Sequence, residues 1–320
     1  MTHIHILHTP KPEHVAHFNA HLEGDATVTV GDPIHAETQI LIGSRPSAEQ
    51  LAAAPHIQTI VIPHAGLPAG LHETLRDFPH ITVHNSHFNA PMTAEMAVAL
   101  LLAAGKRLLP SDRSIRRGDW RDRTGAPSHL FLDRARALIL GYGSIGQHIG
   151  RILRGFGTQV SAIRRNPRGE EGVYPPEKLH DLLPQVDALL ISMPLTPSTE
   201  GMIGAEEIAL LPPGAVIVNV GRGPILDQYA LYDALKSGHL RGAGLDVWWN
   251  YARGDAPIDN TLPSDAPLHE LDNIVMSPHR SVGPGSEVAE RRRMEALAGI
   301  MNAYFRGEDI PNRVSLDAGY

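Results

Sequence analysis

No cysteine occurs among the 320 residues. A disulfide framework, a thiolate nucleophile and a cysteine metal site are therefore excluded together. Positive charge is also short: Lys and Arg number 28 against 35 Asp and Glu. Binding that depends on neutralising phosphates draws on clustered cations, so no nucleic-acid partner is expected. Long apolar runs are missing as well. The stretch Ala97 to Ala104 is too short to span a bilayer, so no membrane partner is expected. The first residues, Met1 to His8, alternate like a short strand and carry no signal-peptide pattern. The expectation is a soluble, cytoplasmic protein. There is no internal repeat and no low-complexity segment, and the length suits two domains of ordinary size.

What is present is more specific. An apolar run from Leu138 enters Gly141-x-Gly143-x-x-Gly146, and a helix-like run from Gln147 to Phe156 follows. Strand, glycine turn and helix in that order form the dinucleotide-binding fingerprint. Gly141 serves the sharp turn, Gly143 lets a pyrophosphate approach, and Gly146 lets helix and strand pack closely. The helix start, with Ser144 and Ile145, offers free N–H groups and a positive dipole to phosphate. After the next strand, Gln159 to Ile163, a cofactor site selective for NAD carries an acid that bonds the ribose. Here the chain reads Arg164-Arg165-Asn166-Pro167-Arg168. Guanidinium groups at that place suit a 2′-phosphate. NADP(H) is the expected cofactor, with NAD(H) as the alternative.

Alternating strand and helix patterns predict an α/β protein with two doubly wound parallel sheets. The first is predicted over Ile4–Leu7, Thr38–Ile42, Thr59–Ile62 and Ile81–His84, with a capping box at Ser47-Ala-Glu-Gln50 opening one of its helices. The second is predicted over Ala137–Leu140, Gln159–Ile163, Ala188–Ile191, Ala215–Val220, Gly242–Leu245 and Ile274–Met276. A helix from Thr93 to Arg117 joins them, and a final helix, Glu287 to Phe305, returns to the first unit. The predicted domains are 1–104 with 286–320 for substrate, and 105–285 for the dinucleotide.

Three strand ends carry polar groups where open α/β sheets bind ligands: Arg222, Asp246 and His279. An arginine holds a carboxylate, and a histidine exchanges a proton near neutral pH. Reduction of a 2-keto acid needs both. His64 follows a strand of the first unit, before Ala65 and Gly66, and is a candidate for the substrate pocket. Trp248 and Trp249 are read as packing residues. His14, His17 and His21 share one helical face but are read as solvated, and no metal site is expected.

Taken together these segments resemble the D-isomer-specific 2-hydroxyacid dehydrogenase family, in its glyoxylate/hydroxypyruvate reductase-like form. The matching stretches are Gly141 to Gly146, Met193 to Thr199, Leu211 to Gly223, Gly242 to Val247, Ser277 to His279, Thr93 to Leu100 and Gly307 to Asn312. The resemblance implies a Rossmann cofactor domain with a smaller flavodoxin-like substrate domain, and a homodimer with the connecting helix in its interface. It implies that Arg222 binds and polarises a small 2-keto or D-2-hydroxy acid, that His279 is the general acid, and that the amides of Ala65 and Gly66 hold the substrate carboxylate. Asp246 would contact the nicotinamide end, and Met193, Pro194, Thr199 and Val220 would line the cofactor. The family's histidine-orienting glutamate does not carry over: Tyr251 stands at its place, with Asp255 or Asp259 as substitutes. That departure keeps two other readings open, a redox-sensing NAD(P)-binding protein with little turnover and a formate-dehydrogenase-like enzyme.

Overall fold

The computed structural model describes residues 1–68, 70–125, 129–252, 257–283 and 285–316. The chain divides into two compact units, 1–90 with 282–320 and 91–281. The first is built on strands β1 (Thr2–Ile6), β2 (Ala26–Val30), β3 (Ile40–Ile42), β4 (Thr59–Ile62) and β5 (Thr82–Asn85). They form a parallel sheet in the order β2-β1-β3-β4-β5. This is the flavodoxin-like order. The sequence patterns predict four of these strands and miss β2. None of its residues is fully buried and the burial does not alternate strictly, the mark of an edge with one weakly covered face. The capping box at Ser47 forms as expected: its hydroxyl accepts from the Gln50 amide, and the Gln50 carboxamide accepts from the Ser47 amide at 2.9 Å.

The second unit holds β6 (Arg136–Leu140), β7 (Gln159–Ile163), β8 (Val173–Tyr174), β9 (Ala188–Ile191), β10 (Val216–Asn219), β11 (Gly242–Leu245) and β12 (Ile274–Met276). The parallel order is β12-β11-β10-β9-β6-β7-β8, which reverses direction between β6 and β9. That switch point is where a doubly wound sheet opens a crevice for a dinucleotide. Leu138, Leu140, Leu189, Ile191 and Ile217 are fully buried on one face of the sheet, and Ile139, Leu190, Val216 and Val218 on the other.

The predicted helix from Thr93 to Arg117 is two helices, Ala90–Gly105 and Leu108–Arg116. Arg107 breaks it by adopting a left-handed backbone with φ 52°. The unit boundary also falls earlier than the predicted 104/105. Ala94, Ala97, Leu101 and Ala104 of the first helix bury against Ala137, Ile139, Leu190 and Val218 of the second sheet, so this helix belongs with the cofactor sheet. The final helix occupies Glu287–Phe305, as predicted, and packs Met294, Leu297 and Met301 onto Ile4, Ile6 and Ile42. No described helix is long and apolar enough to cross a membrane.

Candidate active site

The glycine turn follows β6 and opens the helix Ser144–Gly155. Gly141 has φ +91°, and a β-carbon there would lie 2.7 Å from the Met193 amide nitrogen. No other residue fits that position without moving the Met193 loop. A β-carbon on Gly146 would collide with the Gly141 carbonyl oxygen, so helix and turn touch directly. At Gly143 the same test meets nothing within 4 Å. Protein packing therefore does not demand glycine there, and the space over the turn suits a pyrophosphate. A depression of about 300 Å³ beside the turn is lined by Ser144, Gln147, His148 and Arg151. A slightly larger one, about 330 Å³, lies among Asp133, Asp187, Ala215 and Arg241, and neither the glycine turn nor Arg222, Asp246 or His279 lines it. The Met193 to Thr199 loop is held from within, since the Thr199 hydroxyl donates to the Pro194 carbonyl and accepts from the Thr196 amide, both at 2.8 Å.

At the ribose-reading position the structure adds a residue the sequence did not point to. Arg164 pairs with Glu170, Nη1 to Oε1 at 2.9 Å, and the other carboxylate oxygen accepts the Arg168 amide at 2.6 Å. The amides of Arg168 and of Glu170 itself, and then the Arg164 guanidinium, hold the Glu170 carboxyl below the usual carboxylate range. An acid thus stands near the ribose position after all, brought back by a turn rather than placed at the strand end.

Arg222 lies half-buried past the end of β10, its Nη1 donating to the Gly221 carbonyl at 2.7 Å. Asn219, wholly buried, fixes this turn. Its side chain accepts from the Gly221 amide at 3.0 Å and donates to the Arg222 carbonyl at 2.9 Å. Asn219 is a positioning residue that strand periodicity alone does not reveal. Val220 is buried beside it.

His279 is the next strand-end group, and its backbone is unusual. It has φ +55°, a left-handed conformation that costs a non-glycine residue roughly 1–2 kcal/mol. Asp246 holds it there. Asp246 is buried, and its Oδ1 accepts from the Ser277 hydroxyl at 2.5 Å and the Arg280 amide at 3.0 Å. Oδ2 accepts from the Ser281 amide at 3.2 Å. Expected at the nicotinamide end, Asp246 spends both oxygens on the loop that carries the histidine. Trp248 adds a further tie, its indole N–H donating to the Ser277 carbonyl at 2.8 Å. Its neighbour Trp249 bonds the Leu226 carbonyl at 3.0 Å. Asp246→Asn keeps one acceptor oxygen and turns an NH2 donor toward one of the two loop amides, of Arg280 or of Ser281. We expect a loss of about 2 kcal/mol or more in stability and a drop in turnover larger than the loss of cofactor affinity. Chemical denaturation and steady-state kinetics on one variant check this.

Tyr251 sits where the family glutamate would be, its Oη 2.9 Å from His279 Nδ1, and Oη also accepts from the Trp248 amide at 3.2 Å. A hydroxyl orients the ring in either state. It donates to a neutral Nδ1 and accepts from a protonated one. It lacks the negative charge by which a carboxylate favours imidazolium. Of the substitutes, Asp255 lies outside the described residues, and Asp259 is exposed.

In the first unit, His64, Ala65 and Gly66 are half-buried after β4. The Asn85 carboxamide, from the end of β5, donates to the Ala65 carbonyl at 2.8 Å. That bond orients the peptide leading to the Gly66 amide, and Asn85 too was invisible in the sequence pattern.

A glycine cradle at the switch point and a histidine loop beside an arginine turn define a dinucleotide-binding α/β protein. The model of the D-isomer-specific 2-hydroxyacid dehydrogenase NAD-binding domain matches residues 98–281, and the chain belongs to that family. It is 38% identical over 230 residues to a glyoxylate reductase of Korarchaeum cryptofilum, covering 70% of this chain and 65% of that one. It is 32% identical over 280 residues to a D-3-phosphoglycerate dehydrogenase of Mycobacterium leprae, covering 85% of this chain and about half, 49%, of that one. Among solved structures, a D-isomer-specific 2-hydroxyacid dehydrogenase of Xanthobacter autotrophicus in complex with NADPH and MES superposes with a TM-score of 0.80 at 25% identity, covering 100% of this chain and 99% of that one. NAD(P) is the cofactor class of the family.

Proposed function

We propose that the protein reduces a small 2-keto acid to the D-2-hydroxy acid with NADPH, in the manner of a glyoxylate or hydroxypyruvate reductase. The observation that carries this reading is the pair of strand-end groups, Arg222 held by Asn219 and His279 held by Asp246 and Tyr251. The bound nicotinamide supplies the hydride. Arg222 binds the keto acid through its planar fork and polarises the carbonyl. His279 donates the proton that the new hydroxyl requires. The amides of Ala65 and Gly66 bind the substrate carboxylate. The alternative of a redox sensor is separated by turnover: a panel of 2-keto acids, glyoxylate and hydroxypyruvate included, is assayed with each cofactor, and sustained NADPH oxidation is the expected result.

The preference for NADPH rests on Arg164 and Arg165. Replacing both by Ser should weaken NADPH binding roughly ten- to hundredfold and leave NADH almost unchanged. Glu170 competes with the 2′-phosphate for Arg164, so Glu170→Gln should tighten NADPH by up to about fivefold, the scale of an ion pair near the surface. Cofactor titrations followed by fluorescence check all three, and equal affinity of the unaltered protein for both cofactors would contradict the preference.

A homodimer belongs to the same proposal. Leu108, Leu109 and Ile115 on the helix Leu108–Arg116, and Trp120 just after it, are exposed apolar groups along one segment, which suits burial against a second copy. Light scattering reads the mass directly.

A further inference from the structure

The histidine face of the first helix gains a partner that only the fold supplies. His17 lies on the helix Pro12–Ala20, and His21 caps its end. Four residues apart, they face the same way, and their rings lie 4.3 Å apart. The final helix brings Glu295 to this face, 278 positions further along the chain, with Oε1 2.9 Å from His17 Nε2. One nitrogen from each histidine and a carboxylate oxygen all lie within 4.8 Å of one another.

A second feature separates this cluster from an ordinary ion pair. His21 Nδ1 lies 2.7 Å from the His17 carbonyl oxygen. A carbonyl only accepts, so Nδ1 carries the proton, and in the neutral ring Nε2 keeps its lone pair. A backbone carbonyl that fixes the tautomer in this way is the usual outer support of a metal-bound histidine. An ion pair between His17 and Glu295 would need neither His21 nor its orientation.

We propose that His17, His21 and Glu295 form a site for a divalent metal ion of the zinc type, which ties the first helix to the last. Two neutral imidazoles and one carboxylate, with water in the fourth position, make a tetrahedral donor set for such an ion. His17 is half-buried, whereas His21 and Glu295 are exposed, so an ion enters from solvent. A small outward shift of the Glu295 side chain makes room for it. The neighbouring pair, His14 with Glu287 at 2.8 Å, lies about one turn away on the first helix and about two turns away on the last, and Lys11 and Arg291 already share that carboxylate. The three ligands belong to the first unit and Arg222 and His279 to the second, so the site serves stability rather than the reaction.

The test uses the full chain, stripped with a chelator and titrated with zinc by calorimetry and with cobalt by its visible absorption. The expected result is one equivalent bound with a tetrahedral cobalt spectrum, and a melting temperature raised by roughly 5 °C in excess zinc. His21→Gln and Glu295→Gln, both at exposed positions, should each weaken binding at least about tenfold, while His72→Gln, on another exposed helix, should not. Equal binding by His21→Gln and the unaltered chain would overturn the proposal, as would several weak equivalents with no effect on melting. Those results would mean that zinc meets scattered surface histidines only.

Discussion

His279→Ala lowers keto-acid reduction by roughly 10² to 10⁴, the usual worth of a positioned acid, and leaves NADPH binding close to normal. The expectation follows from the local geometry. The ring reaches its place through a left-handed backbone, which Asp246 and Trp248 sustain by bonding the residues on both sides of it. A protein holds a histidine in that conformation at a cost, and an alanine there keeps the loop but loses the proton donor. The Tyr251 hydroxyl fixes the ring at 2.9 Å without adding charge. Tyr251→Glu places a carboxylate beside Nδ1, favours the protonated ring and should extend reduction to higher pH. The sign is definite: a raised histidine pKa keeps the acid form present over more of the neutral range, so the alkaline limb moves up. Should Asp255 or Asp259 already pair with the ring, its removal would move that limb down, and Tyr251→Glu would change little. A pH profile unchanged in every variant, His279→Ala included, would place the acid elsewhere.

Arg222→Lys carries the second large effect. Lysine keeps the charge but not the planar pair of donors. Asn219 fixes the backbone on either side of Arg222, and the Gly221 carbonyl accepts from its Nη1, so the side chain starts from a defined position. A loss of about 10² to 10³ in turnover is expected, the scale for removing one preorganised donor from a developing oxyanion. Cofactor affinity should stay within about twofold, because the glycine turn and the Arg164 loop are untouched. Near-normal activity would mean that Arg222 does not grip the substrate.

The groups behind these two expectations were legible in the sequence to different degrees. The glycine turn, its strand and its helix follow from local spacing, and so do the strand ends that carry Arg222, Asp246 and His279. Local pattern also yields the last helix, Glu287 to Phe305, because that helix has a serine cap and a long apolar stripe. What the sequence hides depends on distant or weakly patterned residues. The edge strand β2 has only one partly covered face, so its alternation is faint. The break at Arg107 lies inside a run that reads as continuous helix, since nothing in the residue type marks a left-handed turn. Glu170 reaches Arg164 only because the loop after β7 folds back, and Glu295 reaches His17 only because the last helix packs on the first. Asp246 was visible as a strand-end acid. Its bonds to Ser277, Arg280 and Ser281, which make it the support of the histidine loop, arise only when the fold brings a loop some thirty residues further on against it. The tally of polar atoms around one buried carboxylate is a tertiary fact.

In the proposed reaction a hydride moves from a reduced nicotinamide to the second carbon of a keto acid while His279 supplies the proton. The most direct measurement uses NADPH deuterated at the transferring position, with glyoxylate homologues that give a chiral product. Deuterium is expected at the second carbon of a D-2-hydroxy acid, one label for each cofactor oxidised, with loss of the labelled product in both Arg222→Lys and His279→Ala. Cofactor that binds tightly yet transfers no label to any 2-keto acid would contradict the proposed reaction.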